Sequence, residues 1–388
     1  MATVHWVGAG LSSAPGIRRL VQQGQELILW NRTLGKAEAV LEGSTGNASA
    51  KELNWDRLAA ELSAGDVVVS MLPAPMHVQV ANMCLNRKSN FVSTSYLSPE
   101  MLSLHDRAKA AGLSFVNEVG LDPGIDHLFA HALMHEYRNS DKFNKNNLHY
   151  FRSYCGGIPK IANEFTYKFS WSPLGVLKAL TSESRWIGDG KTMTSSRPWN
   201  SLSQYEAHLS EGKETFEAYP NRDSLVFLSE YGFEDDWNVQ EFVRGTLRLN
   251  GWSEAWRDIF DLVDTAQGEN GEKRLVEKSD ELWDNYQYDQ GEPDRVVLVV
   301  ELEVKSGIES DGQPTVWHQL YTLDQAGNER GTAMARLVSL TASIAAESVL
   351  SGKLQPGVFP APKSPTLVAD WLGQLSSLGE QFNKTVVV

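Results

Sequence analysis

Val4-His5-Trp6-Val7-Gly8-Ala9-Gly10-Leu11-Ser12-Ser13 is the stretch that decides the fold of this 388-residue chain. A short apolar run meets two glycines and then a helical pattern over residues 15–23. That order, strand to glycine turn to helix, opens a βαβ unit. Gly8 permits the tight turn, and Gly10 lets a pyrophosphate approach the backbone at the helix N-terminus. The third glycine of a G-x-G-x-x-G pattern is replaced by Ser13, which is still small. A glycine-rich turn without a ligand is the bland alternative. The position between the first strand and the first helix favours dinucleotide binding, with Leu11 and Ser12 at the phosphates.

Working outward, strands are expected at residues 27–30, 66–70, 91–94 and 115–116, and helices at 34–41 and 99–111. Ser98 is the expected N-cap of the latter helix, with Pro99 at its first position. Strands alternating with helices imply an α/β fold, a doubly wound parallel sheet over residues 1–124. After residue 125 the texture changes. Residues 146–249 mix strand-like runs with turns, residues 250–290 read as short helices carrying Trp252, Trp256 and Trp283, and strands are expected at 296–300 and 315–322. A long apolar helix covers 332–350. The four prolines of residues 355–365 read as a linker, and a last helix from Thr366 sets Leu367, Trp371, Leu372 and Leu375 on one face.

Apolar residues make up 41% and charged residues 22%, the balance of a globular protein. The formal net charge of -14 argues against nucleic acid, whose phosphates need a basic footprint. No membrane span is expected, because no apolar run of about 18 residues stands out. Met1-Ala2-Thr3-Val4 runs straight into a strand, so no export signal is expected. Two cysteines, Cys84 and Cys155, cannot form a disulfide framework, and a reducing cytoplasm is the expected compartment.

The end of the second strand separates the two nicotinamide cofactors. An NAD enzyme usually places an acid there for the ribose hydroxyl. Here the residues are Trp30-Asn31-Arg32-Thr33, with no acid. Arg32 and Thr33 suit a 2′-phosphate, so NADP(H) is the expected cofactor. Ser70, Met71 and Leu72, then Ser93, Thr94, Ser95 and Tyr96, follow strands and are expected to line the cofactor, the latter group on the nicotinamide side. His127, His131 and His135 share one helical face, but nothing completes a ligand set, and no metal is expected.

Further segments carry a resemblance. They include Ser93-Thr94-Ser95-Tyr96, Asn117-Glu118-Val119-Gly120-Leu121-Asp122-Pro123-Gly124-Ile125-Asp126-His127, and Ser153-Tyr154-Cys155-Gly156-Gly157-Ile158-Pro159. Tyr167-Lys168-Phe169-Ser170-Trp171-Ser172-Pro173, Asn221-Arg222-Asp223-Ser224, Arg244-Gly245-Thr246-Leu247-Arg248 and Ala333-Met334-Ala335-Arg336 belong with them. On these residues the chain resembles the saccharopine dehydrogenase family. The resemblance implies an NADP-linked oxidoreductase acting on a C–N bond, converting saccharopine and water to glutamate and 2-aminoadipate 6-semialdehyde, or the reverse. It implies a Rossmann domain at 1–124 completed by C-terminal helices within 331–388. It also implies an α+β substrate and dimerisation domain at 125–330, with a helical insertion at 250–290, and hence a homodimer.

Residue by residue, the resemblance assigns substrate contact to Ser95, Tyr96, Asp122, Arg222, Arg244, Gly245 and Thr246. It assigns proton handling to Tyr96, Asp122 and Cys155. Leu121, Asp122, Pro123, Ser170 and Trp171 join the cofactor set. The chemistry is coherent, since arginine forks clamp carboxylates and an aspartate can move an amine proton. Against each stands a structural reading: ion pairs for Arg222 and Arg244, a turn aspartate for Asp122, inert packing for Cys155. The chain departs from the family pattern at 250–290, where it is shorter, at 160–166, and near Val300-Glu301, which lacks a histidine. An imine reductase acting on another carboxylated amine, such as carboxynorspermidine, would differ at the aldehyde end. A catalytically silent NADPH-binding regulator would have no need of Tyr96, Asp122 and Arg222 together.

Overall fold

Val4–Val7 is buried at all four positions, as a strand covered on both faces must be. The computed structural model in which this is seen describes residues 2–307 and 313–388. In chain order it begins β1 (Val4–Val7), α1 (Ala14–Gln22), β2 (Leu27–Asn31), α2 (Leu34–Leu41), β3 (Ala48–Glu52), α3 (Trp55–Glu61) and β4 (Val67–Ser70). Next come α4 (His77–Arg87), β5 (Asn90–Ser93), α5 (Pro99–Leu102), α6 (His105–Ala110), β6 (Ser114–Val116), α7 (Ile125–Arg138) and β7 (Leu148–Pro159). The middle holds α8 (Pro173–Leu180), β8 (Ser184–Gly188), β9 (Lys191–Ser195), β10 (Ser203–Leu209), β11 (Gly212–Pro220) and β12 (Asn238–Arg248). Then follow α9 (Trp252–Ala255), α10 (Arg257–Thr265), α11 (Gly268–Tyr286), β13 (Asp294–Lys305) and β14 (Thr315–Ala326). The chain closes with α12 (Ala333–Leu350), β15 (Gly357–Phe359), α13 (Pro365–Ser377) and β16 (Asn383–Val386).

Two compact units result, Met1–Leu128 with Met334–Gly379, and Phe129–Ala333 with Glu380–Val388. The first unit is an α/β layer around a seven-stranded sheet of order β15-β6-β5-β4-β1-β2-β3. Every pairing in it is parallel. The strand order reverses between β1 and β4, which is where open parallel sheets take their ligands. Three expectations change here. Residues 355–365 are no linker: Gly357, Val358 and Phe359 pair with Ser114, Phe115 and Val116 and extend the sheet by one strand. The helix expected at 99–111 is broken into α5 and α6, though Ser98 caps it as expected by accepting from Met101 N at 3.1 Å. The polar strand β3 pairs with β2 at the sheet edge, where its alternation is too weak to read.

α12 is long and apolar enough to cross a membrane by length and composition, contrary to the sequence reading, yet 78% of it is buried inside the protein. Its tightest contact explains that burial. A Cβ added at Gly16 of α1 would stand 2.1 Å from Ser339 O, so only glycine lets the two helices meet. Gly16 N donates to Ser339 Oγ at 2.8 Å, and Arg19 Nη1 donates to Ser343 Oγ at 3.0 Å. α13 joins this layer through Trp371, whose Nε1 donates to Ser348 Oγ at 3.0 Å.

The second unit is built on a sheet of order β10-β11-β12-β7-β13-β14-β16, with β8 and β9 attached at β12. β7 and β12 are parallel, and the other pairings are antiparallel. Tyr205 of β10 reaches Glu301 of β13 at 3.2 Å, and Arg295 of β13 bonds Glu214 of β11, so the sheet curls over one face. The helical part, α8 to α11, buries an aromatic core in which Trp252, Trp256, Phe165 and Phe260 pack together. The last nine residues depart from the expected boundary. β16 pairs with β14 from Gln319 to Thr322, so Glu380–Val388 belongs to the second unit, because sheet hydrogen bonds outweigh chain proximity to α13.

Candidate active site

The first unit holds the glycine loop, residues 31–33, 70–72, 94–96 and 121–123; the second holds Cys155, Ser170, Trp171, Arg222 and the Arg244 to Thr246 segment. Register aligns the strand ends of the first unit: Val7 lies beside Trp30 and Ser70, and Ser70 beside Ser93. Gly8, Met71 and Thr94 therefore leave the sheet at one level, beside Asn31, the last residue of β2. Gly8 has a φ of 109°, and a Cβ there would meet Met71 O at 3.2 Å. Nothing lies within 4 Å of a Cβ built on Gly10, so the loop is open to an incoming group. Among the described residues the N–H groups of Gly10, Leu11 and Ser12 make no hydrogen bond. Open donors before a helix are the pattern a pyrophosphate takes.

Asn31, beside Arg32, is also expected in the cofactor set, and its side chain bridges two loops. Its Oδ1 accepts from Ala9 N at 3.1 Å and its Nδ2 donates to Thr33 O at 2.9 Å, tying the two loops together. Arg32 and Thr33 are exposed, and Arg32 makes no hydrogen bond or ion pair among the described residues. A free guanidinium with no acid at the strand end fits a 2′-phosphate.

Beyond β5 the chain turns through Ser95, Tyr96 and Leu97. Glu118, at a φ of 58°, grips this turn: its N donates to Ser95 O at 3.1 Å, and its Oε1 accepts from Leu97 N at 2.7 Å. Its other oxygen lies 2.9 Å from His127 Nε2. His127 thus braces the carboxylate behind the turn. Tyr96 OH donates to Asp122 Oδ1 at 3.2 Å, so the two residues expected to handle protons are in contact. The Asp122 loop closes on itself, with Gly120 N donating to Pro123 O at 2.9 Å and Gly124 N to Asp126 Oδ1 at 2.6 Å. A carboxylate held by a phenol at the C-terminal end of a parallel sheet can accept a proton from a bound amine or water.

In the second unit β12 carries Arg244, Thr246 and Arg248 on one face by strand alternation. Thr246 pairs with Cys155 of β7 and with Tyr219 of β11. The Arg222 turn is stitched to this strand, since Asn221 N donates to Arg244 O at 2.8 Å and Arg244 N donates to Ser224 Oγ at 2.9 Å. Arg222 itself has a φ of 56° and is exposed, whereas Arg244 is buried with its guanidinium 4.0 Å from the Phe227 ring centroid. The two expected clamps thus differ in kind. Ser170 is buried and Trp171 exposed.

Three residues escape the sequence reading. His77, at the start of α4, touches Ser70 and Ser95. Glu118 sits within a quoted motif but has no role until the turn is seen. Arg248 is buried, faces the rings of Tyr167, Tyr219 and Trp252 at 5.0, 5.6 and 5.4 Å, and has no carboxylate within 4.0 Å among the described residues. Its alternation with Arg244 was the available signal. Cys84, by contrast, is packed in the core of the first unit, and burial pushes its thiol up to about 12.

Comparison with known proteins agrees with this geometry. Residues 4–116 match the family model of the saccharopine dehydrogenase NADP binding domain, and residues 120–379 that of the saccharopine dehydrogenase C-terminal domain. The first unit therefore carries an NADP-binding domain. A saccharopine dehydrogenase [NADP(+), L-glutamate-forming] of Pyricularia oryzae is 35% identical over 68% of this chain, and one of Saccharomyces cerevisiae is 33% identical over 66%. These matches span 58% and 57% of the relatives' own lengths. The solved apo structure of histidine-tagged saccharopine dehydrogenase (L-Glu forming) from Saccharomyces cerevisiae superposes with a TM-score of 0.79, covering 100% of both chains at 25% identity. With both family models matched in order along nearly all of its length, the chain belongs to the saccharopine dehydrogenase family.

Proposed function

We propose that this protein is an NADP(H)-dependent oxidoreductase that converts saccharopine and water to glutamate and 2-aminoadipate 6-semialdehyde, or runs the reverse. The observation that carries the reading is the Tyr96–Asp122 hydrogen bond at the C-terminal ends of the parallel strands, in a unit whose glycine loop and free Arg32 suit NADP(H). The cofactor, when bound, supplies hydride exchange. Gly10, Leu11 and Ser12 would hold its pyrophosphate, and Arg32 with Thr33 its 2′-phosphate.

The chain's own residues do the rest. Oxidation at the carbon beside the amine leaves a C=N bond, and water must add to it before the C–N bond breaks. Asp122 takes the proton from the attacking water, and the Tyr96 hydroxyl keeps its carboxylate oriented. The amine leaves as glutamate once it regains a proton, and Cys155 is the remaining proton-handling residue that the resemblance assigns. Arg222 and Arg244 take carboxylates of the substrate, and Ser95, Gly245 and Thr246 are the further substrate residues that the resemblance assigns. The second unit, on this reading, is the substrate and dimerisation domain.

The test is NADPH formation when saccharopine is added to the purified protein with NADP. Turnover supports the proposal. Turnover of a carboxylated polyamine without turnover of saccharopine replaces it with the imine-reductase alternative. Silence on every secondary amine despite NADPH binding points to a regulator. Two companion proposals are a homodimer, checked by light scattering coupled to gel filtration, and a cytoplasmic location, checked by fractionation. The latter draws on the sequence holding two cysteines, too few for a disulfide framework.

A further inference from the structure

His77 opens α4, and its ring lies between two hydroxyls on the ligand-side loops. Nδ1 is 3.0 Å from Ser70 Oγ, and Nε2 is 2.8 Å from Ser95 Oγ. The ring is 4% exposed, and burial lowers its pKa to about 4, so it is neutral at ordinary pH. A neutral imidazole donates from one nitrogen and accepts at the other. Two assignments follow, and Ser70 separates them.

If Nδ1 holds the proton it donates to Ser70 Oγ, and the Ser70 hydroxyl hydrogen needs another acceptor. Ser70 is 0% exposed, and among the described residues its hydroxyl has His77 as its one partner. That assignment leaves a buried donor unmet, which folded proteins avoid. If Nε2 holds the proton, Ser70 donates to Nδ1 and both buried groups are satisfied. Nε2–H then donates to Ser95 Oγ, and the Ser95 hydroxyl must direct its own hydrogen elsewhere. Among the described residues nothing accepts it. Ser95 is itself anchored, since its N donates to Ser93 Oγ at 3.3 Å and its O accepts from Glu118 N at 3.1 Å.

We propose that His77 is a positioning residue that presents the Ser95 hydroxyl as a hydrogen-bond donor to an acceptor oxygen of the bound ligand. A substrate carboxylate and the carboxamide of a nicotinamide both offer such an oxygen. The inference rests on the proposed function only for the choice between these two sources.

The direct test is the nitrogen-15 spectrum of the His77 ring in the wild-type protein at neutral pH. An Nε2–H tautomer is expected. An Nδ1–H tautomer or an imidazolium overturns the proposal, whatever the enzyme turns over. The second test uses Ser95→Ala, His77→Asn and the double variant, with NADPH binding and amine-substrate KM measured separately. Ser95→Ala should weaken one of the two by roughly 10-fold, the worth of one good hydrogen bond. A rise in NADPH Kd assigns the carboxamide, and a rise in KM alone assigns the substrate carboxylate. His77→Asn should weaken the same constant, and the double variant should be no worse than Ser95→Ala, because His77 acts through Ser95. Effects that multiply in the double variant, or a Ser95→Ala protein with both constants unchanged, sink the proposal. Failure of saccharopine turnover with the NADPH arm and the tautomer as expected would count against the substrate and leave this inference standing.

Discussion

The two sheets carry their candidate groups in opposite ways. In the parallel sheet the central strands are filled with Val, Leu and Trp, and the groups of interest lie at or just beyond a strand end: Gly8, Arg32, Ser70, Ser95 and Tyr96. In the curled sheet Arg244, Thr246 and Arg248 ride on the strand β12 itself. The cause is what covers each face. A parallel sheet flanked by helices has no side free for polar groups, so its chemistry is pushed to the ends. A mostly antiparallel sheet can devote one face to charge, provided that aromatic rings and hydrogen bonds take up the guanidiniums. The first arrangement uses backbone N–H groups and turns, and the second uses side chains held by cross-strand neighbours.

The largest expected effect sharpens that contrast. Asp122→Ala should lower kcat by about 10²–10⁴-fold, the usual contribution of a general acid or base, while NADPH affinity stays near wild type. Steady-state kinetics and a binding titration check it. If kcat is unchanged and KM alone rises, the strand-end loop binds rather than reacts, and the division of labour between the two sheets fails.

Acid should reach both units through buried histidines. His77 in the first unit and His149 in the second both have pKa values lowered to about 4 by burial; a hydrogen bond to Asn238 O only partly offsets it at His149. The folded pKa lies below the unfolded value near 6.5, so the unfolded chain takes up protons first as pH falls. Stability from these groups is complete above pH 6.5, declines between 6.5 and about 4, and amounts to on the order of 3 kcal/mol for each histidine once lost. Denaturant melts at stepped pH values measure it. A His149→Asn protein that keeps the whole acid slope would confine the effect to the parallel-sheet unit.

Gly16→Ala should destabilise the first unit by about 1–3 kcal/mol, because its Cβ would fall on the Ser339 carbonyl and α1 would be pushed from α12. Differential scanning calorimetry checks this, and an unchanged melting profile would show that the helix layer tolerates sliding. Of similar size is the effect of Arg32→Ala, which should weaken NADPH by about 1–3 kcal/mol and leave NADH nearly unaffected. Equal affinity of the native protein for both cofactors would remove Arg32 from the site.

Much of the cofactor half was legible from residue order. The glycine loop, the missing acid after Trp30 and the cap at Ser98 are local features, and a local feature needs only its neighbours to be interpreted. Asn31 shows the limit, because residue order does not tell that its amide bonds Ala9 N and Thr33 O and so ties two loops together. The proline-rich residues 355–365 show it again. Their composition reads as a linker, yet three of them pair with β6 more than two hundred residues earlier.

What the sequence by itself determined was therefore the type of domain and the kind of cofactor. These follow from periodicity, from glycines at a strand end and from the sort of side chain present. The tertiary structure decided which polar groups meet. His77 finds Ser70 and Ser95, His127 finds Glu118, Gly16 finds Ser339 and Arg248 finds its three rings only when register and helix packing have been chosen. Hydrogen bonds and ring contacts act over a few ångströms, so residues far apart in the chain acquire their partners, and with them their protonation and their roles, only when folding brings them within that range.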